Sequence, residues 1–467
     1  MSRLGWLLLL AWSGSGPALA QERYPVDWAK LEPEILDHFS ALLKIDTSNP
    51  PGNETRAAEA VQKVLEGEGI PAKLFALDPA RANLVARVKG NGSKKPILLM
   101  GHTDVVGVQR ERWSVDPFAA IRKGGLIYGR GATDDKPHVV AGMMVLLLLN
   151  RLHVKLNRDV IFLAEAGEEG TTGVGIDYMV KQHWPEIESE FALAEGGSVV
   201  ADEGKVHDVL VTVTEKVPHG VRLVARGPSG HASRPLVQNA VIHLAAAVAK
   251  VGAWETPMRL NPVTRAYFER LAAISPPGEA MRYRSILNAA RAPSVDRYFR
   301  DHEPGHYSIL RTSVAPTELK GGFRANVIPS EAEAYLDVRA LPDENMAQFL
   351  EAMRRVIADP AVDIVPAQSS ERPAAPPSSI DTEMFRALEK TGRRLYGAPT
   401  LPNMLTGATD SAQLRARGVQ AYGVGPIGPV GEGPLGGAHA DDENISVRGL
   451  EKLVEYMWDA VIEVAAE

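Results

Sequence analysis

Apolar residues recur at helical spacing from Asp27 to Ile45, and the run Pro50-Pro51-Gly52-Asn53 then stops the pattern with a turn. Glu54 to Gly69 reads as a second helix. Short strand-like runs follow at Lys73–Leu77, Asn83–Val88 and Pro96–Met100. A long apolar helix is predicted from about Pro137, a residue suited to a first helical turn, to about Leu152. Asp159–Ala164 reads as a buried strand, Gly175–His183 as a helix and Phe191–Ala194 as another strand. Strands alternating with helices predict an α/β fold with a mixed sheet covered by helices.

The pattern changes near residue 205. Val209–Thr214 and Gly220–Ala225 resemble paired strands, Ala240–Gly252 a helix, and Glu331–Arg339 alternates strictly, as a half-buried strand does. Residues 206–340 are therefore expected to form an inserted, smaller α+β domain, between catalytic-domain parts at 21–205 and 341–467. A helix at Thr382–Leu395 and a closing helix at Val447–Ala466 complete the second part. The stretch Pro366–Pro377, rich in Pro, Ala and Ser, offers no usable motif.

The first twenty residues read as a leader. Arg3 gives the positive start, Leu4–Trp12 the apolar stretch, and Ala18-Leu19-Ala20 a small-residue cleavage site, with the cut after Ala20. The apolar stretch is too short to span a bilayer. The mature chain is expected to be periplasmic or secreted, with no membrane insertion. A net charge of −7 leaves no basic footprint for nucleic acid. The chain has no cysteine, which removes disulfides, a thiol nucleophile and thiolate zinc sites. Any strong metal site must use His, Asp and Glu.

Five segments carry those residues. Pro96-Ile-Leu-Leu-Met-Gly-His-Thr-Asp-Val runs a strand into His102 and Asp104, and period two puts both on one side. Asp104 is placed to fix the His102 tautomer. Tyr128-Gly-Arg-Gly-Ala-Thr-Asp-Asp-Lys sets Asp134 and Asp135 just before a helix. N-capping explains one of them, and Asp134 is the candidate to bridge two cations. Phe162-Leu-Ala-Glu-Ala-Gly-Glu-Glu-Gly places Glu168 and Glu169 so that one can bind metal and the other act as general base. A bare pair of glutamates is otherwise a solvated acidic loop. Glu195 ends a strand, and His439 sits in the Gly-rich run Gly436-Gly-Ala-His-Ala-Asp-Asp-Glu-Asn. Most of these lie at strand C-termini or the turns beyond, where open α/β sheets bind ligands. His102, Asp134, Glu169, Glu195 and His439 suit two zinc ions, and the same donors would accept cobalt or manganese.

These ordered blocks resemble the zinc peptidase and deacylase family that includes glutamate carboxypeptidase, aminoacylase, carnosine dipeptidase and succinyl-diaminopimelate desuccinylase. The likeness runs from Asp46-Thr-Ser-Asn-Pro-Pro-Gly-Asn-Glu to His439. It implies His102, Asp134 and Glu195 on one zinc, Asp134, Glu169 and His439 around the other, and Glu168 as the base. Asp104 would orient His102, and the Asp134–Asp135 peptide would be cis. Gly227-Pro-Ser-Gly-His-Ala-Ser-Arg-Pro resembles the block whose histidine, here His231, supports the oxyanion, in some members across a dimer. Phe323-Arg-Ala-Asn-Val-Ile-Pro and the strand ending at Arg339 resemble a substrate-holding segment, giving Asn326 and Arg339. Gly407-Ala-Thr-Asp-Ser resembles a substrate-carboxylate loop, giving Gly407 and Thr409. One departure is Pro137 followed by His138, where glycine commonly follows the lysine.

The implied reaction is hydrolysis of an amide next to a free carboxylate, by a carboxypeptidase or dipeptidase. The alternative within hydrolases is an N-acyl amino acid deacylase. A non-catalytic binding protein on the same fold is disfavoured, because no residue of the set is missing. A homodimer through the inserted domain is an expectation by analogy.

Overall fold

The protein is described here from a computed structural model, which describes residues 23–202, 205–367, 372–428 and 437–467. The leader expected at residues 1–20 lies outside them. The larger sheet is built from β1 (Ala72–Ala76), β2 (Ala82–Val88), β3 (Ile97–His102), β4 (Val160–Glu165), β5 (Phe191–Ala194), β6 (Ser198–Asp202) and β7 (Lys205–Glu215). The smaller sheet contains β8 (Val217–Arg226), β9 (Ser313–Gly321), β10 (Glu331–Ala340) and β11 (Val362–Pro366). The chain then returns to the larger sheet with β12 (Thr400–Leu405) and β13 (Gln420–Gly423).

The larger sheet runs β6-β7-β13-β5-β3-β4-β2-β1, with β12 beside β7. Its centre, β13-β5-β3-β4, is parallel, and the pairs on either side are antiparallel except β7 with β12, which is parallel. Parallel strands need both faces covered. Accordingly every residue of β3, β4 and β5 is buried. The helix Lys136–Arg151 crosses one face and is buried from Lys136 to Leu149, which explains its unbroken apolar run. Lys136 is the exception in chemistry. Its buried Nζ donates to the carbonyls of Leu42 at 3.0 Å and Ile45 at 2.8 Å, closing the end of the helix Trp28–Leu43.

The expected α/β class with a smaller second unit is observed, but the 206–340 insertion divides differently. β7 and β8 do not pair with each other. β7 joins the larger sheet, and after Lys216 alone the chain enters the smaller one, ordered β9-β10-β8-β11. That sheet extends past residue 340, because β11 pairs with β8. Its apolar face, including Leu223, Leu336 and Val338, packs on the helices Ala240–Gly252 and Met346–Ile357. Four helices, Pro262–Ile274, Pro277–Ile286, Ala292–His302 and Pro304–Ile309, fill the interval before β9. Their core residues Tyr267, Phe268, Tyr283 and Phe299 join the main catalytic core, not that of the smaller sheet. Thus a segment rooted in the second unit is docked on the first, against β12. Among the described residues no helix is long and apolar enough to cross a membrane.

Candidate metal centre

β3 delivers His102 fully buried at its C-terminal end. Gly101 permits this, since a Cβ there would lie 2.7 Å from the Val139 amide nitrogen and 2.9 Å from the His138 Cβ. His102 Nδ1 is 3.0 Å from the Asp104 carbonyl oxygen and 3.5 Å from its carboxylate. The backbone, more than the Asp104 side chain, therefore holds the ring. The Asp104 carboxylate also has another task. It accepts the amides of Glu168 and Glu169, each at 3.1 Å, and the Asn49 side-chain amide at 2.8 Å. It pins the loop that carries the two glutamates.

Asp134 stands between two imidazoles. Its Oδ1 is 2.9 Å from His102 Nε2, and its Oδ2 is 3.2 Å from His439 Nε2. His439, held at a φ of 65°, also lies 2.9 Å from Glu169 Oε1. Two donor groups result: His102, Asp134 and Glu195, and Asp134, Glu169 and His439, each with ligand atoms within 4.8 Å of one another. His102, Glu168 and Glu169 form a third such set. The five side chains selected as ligands thus converge, with Asp134 shared. Glu195 follows β5 directly, and Gly196 after it has a φ of 98°, which an L side chain rarely adopts.

The electrostatics fit divalent cations. Burial, with Asp134 and Glu168 nearby, holds the Glu195 carboxyl well above its usual range. Bonding to Asp134 and Glu169 pushes His439 up to about 10. Burial opposes protonation of His102, but its bonds to Asp104 and Asp134 outweigh this and hold its pKa well above 6.5. Without cations, the neighbouring carboxylates draw both imidazoles towards the protonated form. Two divalent ions would supply that charge with neutral imidazoles, the form that ligates. Burial raises Glu168 to about 8 against the pull of Arg372 and His102.

The Asp134–Asp135 peptide is cis, as the resemblance implied. His138 does not alter the site from within. It is buried, with Nδ1 against the Asp135 carboxylate and Nε2 3.1 Å from the Val424 carbonyl. Two residues went unselected in the sequence. Glu443, buried, accepts the amides of Gly131 at 3.2 Å, Thr133 at 2.7 Å and Asp134 at 3.1 Å, and Arg130 at 2.7 Å. Its signal was present in the acidic run after His439. Arg372 contacts the Glu168 carboxylate, its carbonyl at 3.1 Å and Asp410 Oδ1 at 2.7 Å. It lies in the Pro-rich stretch Pro366–Pro377, which carries no motif.

The other selected residues are dispersed. His231 is exposed on the smaller unit, its Nδ1 taking the Ser233 amide at 3.1 Å, and it belongs to none of the donor groups. Asn326 is beside it, its carbonyl accepting the Ala232 amide at 3.1 Å. Arg339 Nε donates to the Asp337 carboxylate at 3.0 Å, an ion pair within one strand. Gly407 precedes a loop whose Thr409 is already engaged. The Thr409 amide and hydroxyl both donate to Glu215, each at 2.9 Å, so an internal carboxylate occupies the place expected for a substrate's.

A mixed sheet with converging His and carboxylate donors at its strand ends defines a metal-dependent hydrolase. The chain belongs to peptidase family M20/M25/M40, whose model matches residues 98–463. It is 29% identical over 382 residues to the human N-fatty-acyl-amino acid synthase/hydrolase PM20D1, covering 79% of this chain and 74% of that one. It is 27% identical over 398 residues to rat aminoacylase-1B, covering 83% and 86%. Its fold matches an M20 family metallo-carboxypeptidase from Sulfolobus solfataricus with a TM-score of 0.69, at 20% identity, over 92% of this chain and 99% of that one. The protein is a hydrolase acting on peptide or N-acyl amino acid bonds.

Proposed function

We propose a two-metal amidohydrolase that cleaves an amide next to a free carboxylate, with N-acyl amino acids as the favoured substrates over peptides. The observation that carries the two-metal reading is Asp134 facing two imidazoles, one from each of its oxygens. The acyl preference is supported by the name of PM20D1, at 29% identity; aminoacylase-1B and a Dictyostelium discoideum carboxypeptidase S-like protein are equally similar at 27%. Zinc, or cobalt or manganese, held by His102, Asp134, Glu169, Glu195 and His439 would acidify water and polarise the scissile carbonyl. Glu168, next to the ligand Glu169, takes the proton of the attacking water and passes it to the leaving amine. Arg372 holds the Glu168 carboxylate from behind. His231 and Asn326, exposed on the smaller unit, reach the substrate from a partner subunit in this reading. β9, exposed from Ala315 to Gly321, offers a free sheet edge for such a dimer. Export after removal of residues 1–20 is part of the same proposal and is checked by N-terminal sequencing of the secreted protein.

The test is hydrolysis of N-acyl amino acids and dipeptides, each as free acid and as C-terminal amide, with and without chelator. Loss of activity on chelation, recovery with zinc, and preference for free acids over amides are expected. Chelator-resistant activity, or equal rates on amides, refutes the reading.

A further inference from the structure

We propose that Asn49 is the positioning residue for the two adjacent glutamates: by tying Asp104 to the turn at residues 167–171, it fixes Glu168 where the base must stand. The catalytic consequence rests on the hydrolase reading above, while the positioning itself does not.

The turn belongs to no helix or strand, so its backbone groups must find partners elsewhere. Asp104 takes the amides of Glu168 and Glu169, and Arg372 reaches the Glu168 carbonyl at 3.1 Å. The Glu169 carbonyl faces Asn49, whose Nδ2 lies 3.4 Å away. The same nitrogen donates to Asp104 Oδ2 and to Thr171 Oγ1, each at 2.8 Å. A carboxylate and a carbonyl can only accept, so the side-chain amide has one orientation here. Asn49 is buried, and one nitrogen joins segments 55 and 122 positions away in the chain.

Asn49 can hold this turn because it is itself fixed from elsewhere. Ser48 and Asn49 pair in parallel with Val105 and Val106. The Thr47 hydroxyl donates to the Thr103 carbonyl at 2.6 Å, and Asp46 Oδ1 accepts the Ser48 amide at 3.0 Å. Lys136 holds the Ile45 carbonyl just before them. Asp104 alone does not suffice. Its carboxylate has a broad torsional well, and the two glutamate amides belong to the turn itself, so they would move with it. The bond from Asn49 sets the plane of the carboxylate and with it the place of both amides. A cation bound by Glu169 would anchor that side chain but not Glu168, which depends on the turn and on Arg372. A catalytic group misplaced by about 1 Å loses about 10²-fold in rate.

Asn49→Leu supplies the test, since it keeps the forked shape of the side chain and removes the donor. Kinetics are measured on zinc-loaded protein with the best substrate of the panel above. Asn49→Leu lowers kcat at least ~10-fold, leaves KM within about threefold and leaves the zinc content at the wild-type value. Amide hydrogen exchange of the metal-free protein, read by mass spectrometry, gives a second readout. The peptide covering residues 167–171 exchanges at least ~10-fold faster in the variant, while β3 and β4 keep their rates. Thr171→Val removes one acceptor of the Asn49 amide and moves both readouts the same way by about 3–10-fold, whereas Thr171→Ser keeps the hydroxyl and stays within about twofold. If Asn49→Leu keeps kcat within about threefold, places the loss in KM, or speeds exchange in β3 and β4 as much as in the turn, the proposal is refuted. Should Asn49→Leu fail to fold, the Thr171 variants decide, and Thr171→Val matching Thr171→Ser in both readouts refutes it. If the wild type hydrolyses nothing in the panel, the hydrolase reading falls, and the exchange readout alone still decides whether Asn49 holds the turn.

Discussion

Arg372→Met probes the charge balance beneath Glu168, the proposed base. Arg372 is buried to 7% side-chain exposure and serves two carboxylates, Glu168 and Asp410. Methionine keeps an apolar stem and removes the cation. Asp410, fully buried with Oδ2 already lacking a partner, is then left uncompensated. Glu165, also buried with Oε2 unpartnered, is held well above the usual carboxylate range by burial and by Asp410, so it gives Asp410 no compensating cation. Removing one member of a buried ion pair costs about 3–5 kcal/mol, and one cation shared by two acids argues for about 4–5. Burial already raises Asp410 to about 6 and Glu168 to about 8 with the arginine present. Both are acids with folded values above their ordinary ones, so each lowers stability as pH rises from the ordinary value through the folded one. The loss on substitution should therefore shrink towards pH 4, where both acids are protonated in the fold, and be largest near pH 8. The assay is urea unfolding of metal-free protein across that range, with Asp410→Asn and the double variant completing a cycle. A coupling of about 1–3 kcal/mol is expected. A cost below about 1 kcal/mol at pH 8, or effects that add to within about 0.5 kcal/mol, refutes the reasoning.

Glu168→Gln should lower turnover by about 10²–10⁴-fold while metal content, read by elemental analysis, matches the wild type; normal turnover excludes Glu168 as the base. Glu443→Gln loosens the turn that presents Asp134 and should weaken metal binding by about 10–100-fold in a competition titration, with the fold intact by circular dichroism. Burial, then Arg339 and Arg311, pushes the Lys216 ammonium down to about 7 from 10.5. The unfolded chain holds that proton up to a higher pH than the fold does. Wild-type stability in urea should therefore gain a rising component between about pH 7 and 10.5 that Lys216→Met lacks, with no difference in slope below about pH 6.

The proposed ligand set was legible because each residue sits at the end of a short apolar strand or in a Gly-rich turn, and both signals survive in one sequence. His102 ends one buried strand, Glu195 follows another, and Asp134 follows Gly129 and Gly131. The pairing of β7 with β12 was not legible, since it joins residues nearly two hundred positions apart. For the same reason two adjacent β-rich runs, β7 and β8, read as a hairpin although a single residue carries the chain between sheets. The helices from Pro262 to Ile309 were not legible, because their apolar periodicity is uneven and Pro277–Ile286 has almost no apolar face; their docking on the catalytic core depends on tertiary contacts. Arg372 illustrates the limit from the other side: a lone arginine in a Pro-rich run acquires its role only when the fold buries it between two acids. Thr409 shows the converse, a loop whose anion partner is Glu215 of the same chain.

The central claim is that Asp134 joins two cation sites. Anomalous diffraction from zinc-loaded crystals tests it most directly. The account predicts two peaks per chain, one against Asp134 Oδ1 with His102 and Glu195, the other against Oδ2 with Glu169 and His439. A single peak at full zinc loading, or two peaks that do not share Asp134, would contradict it.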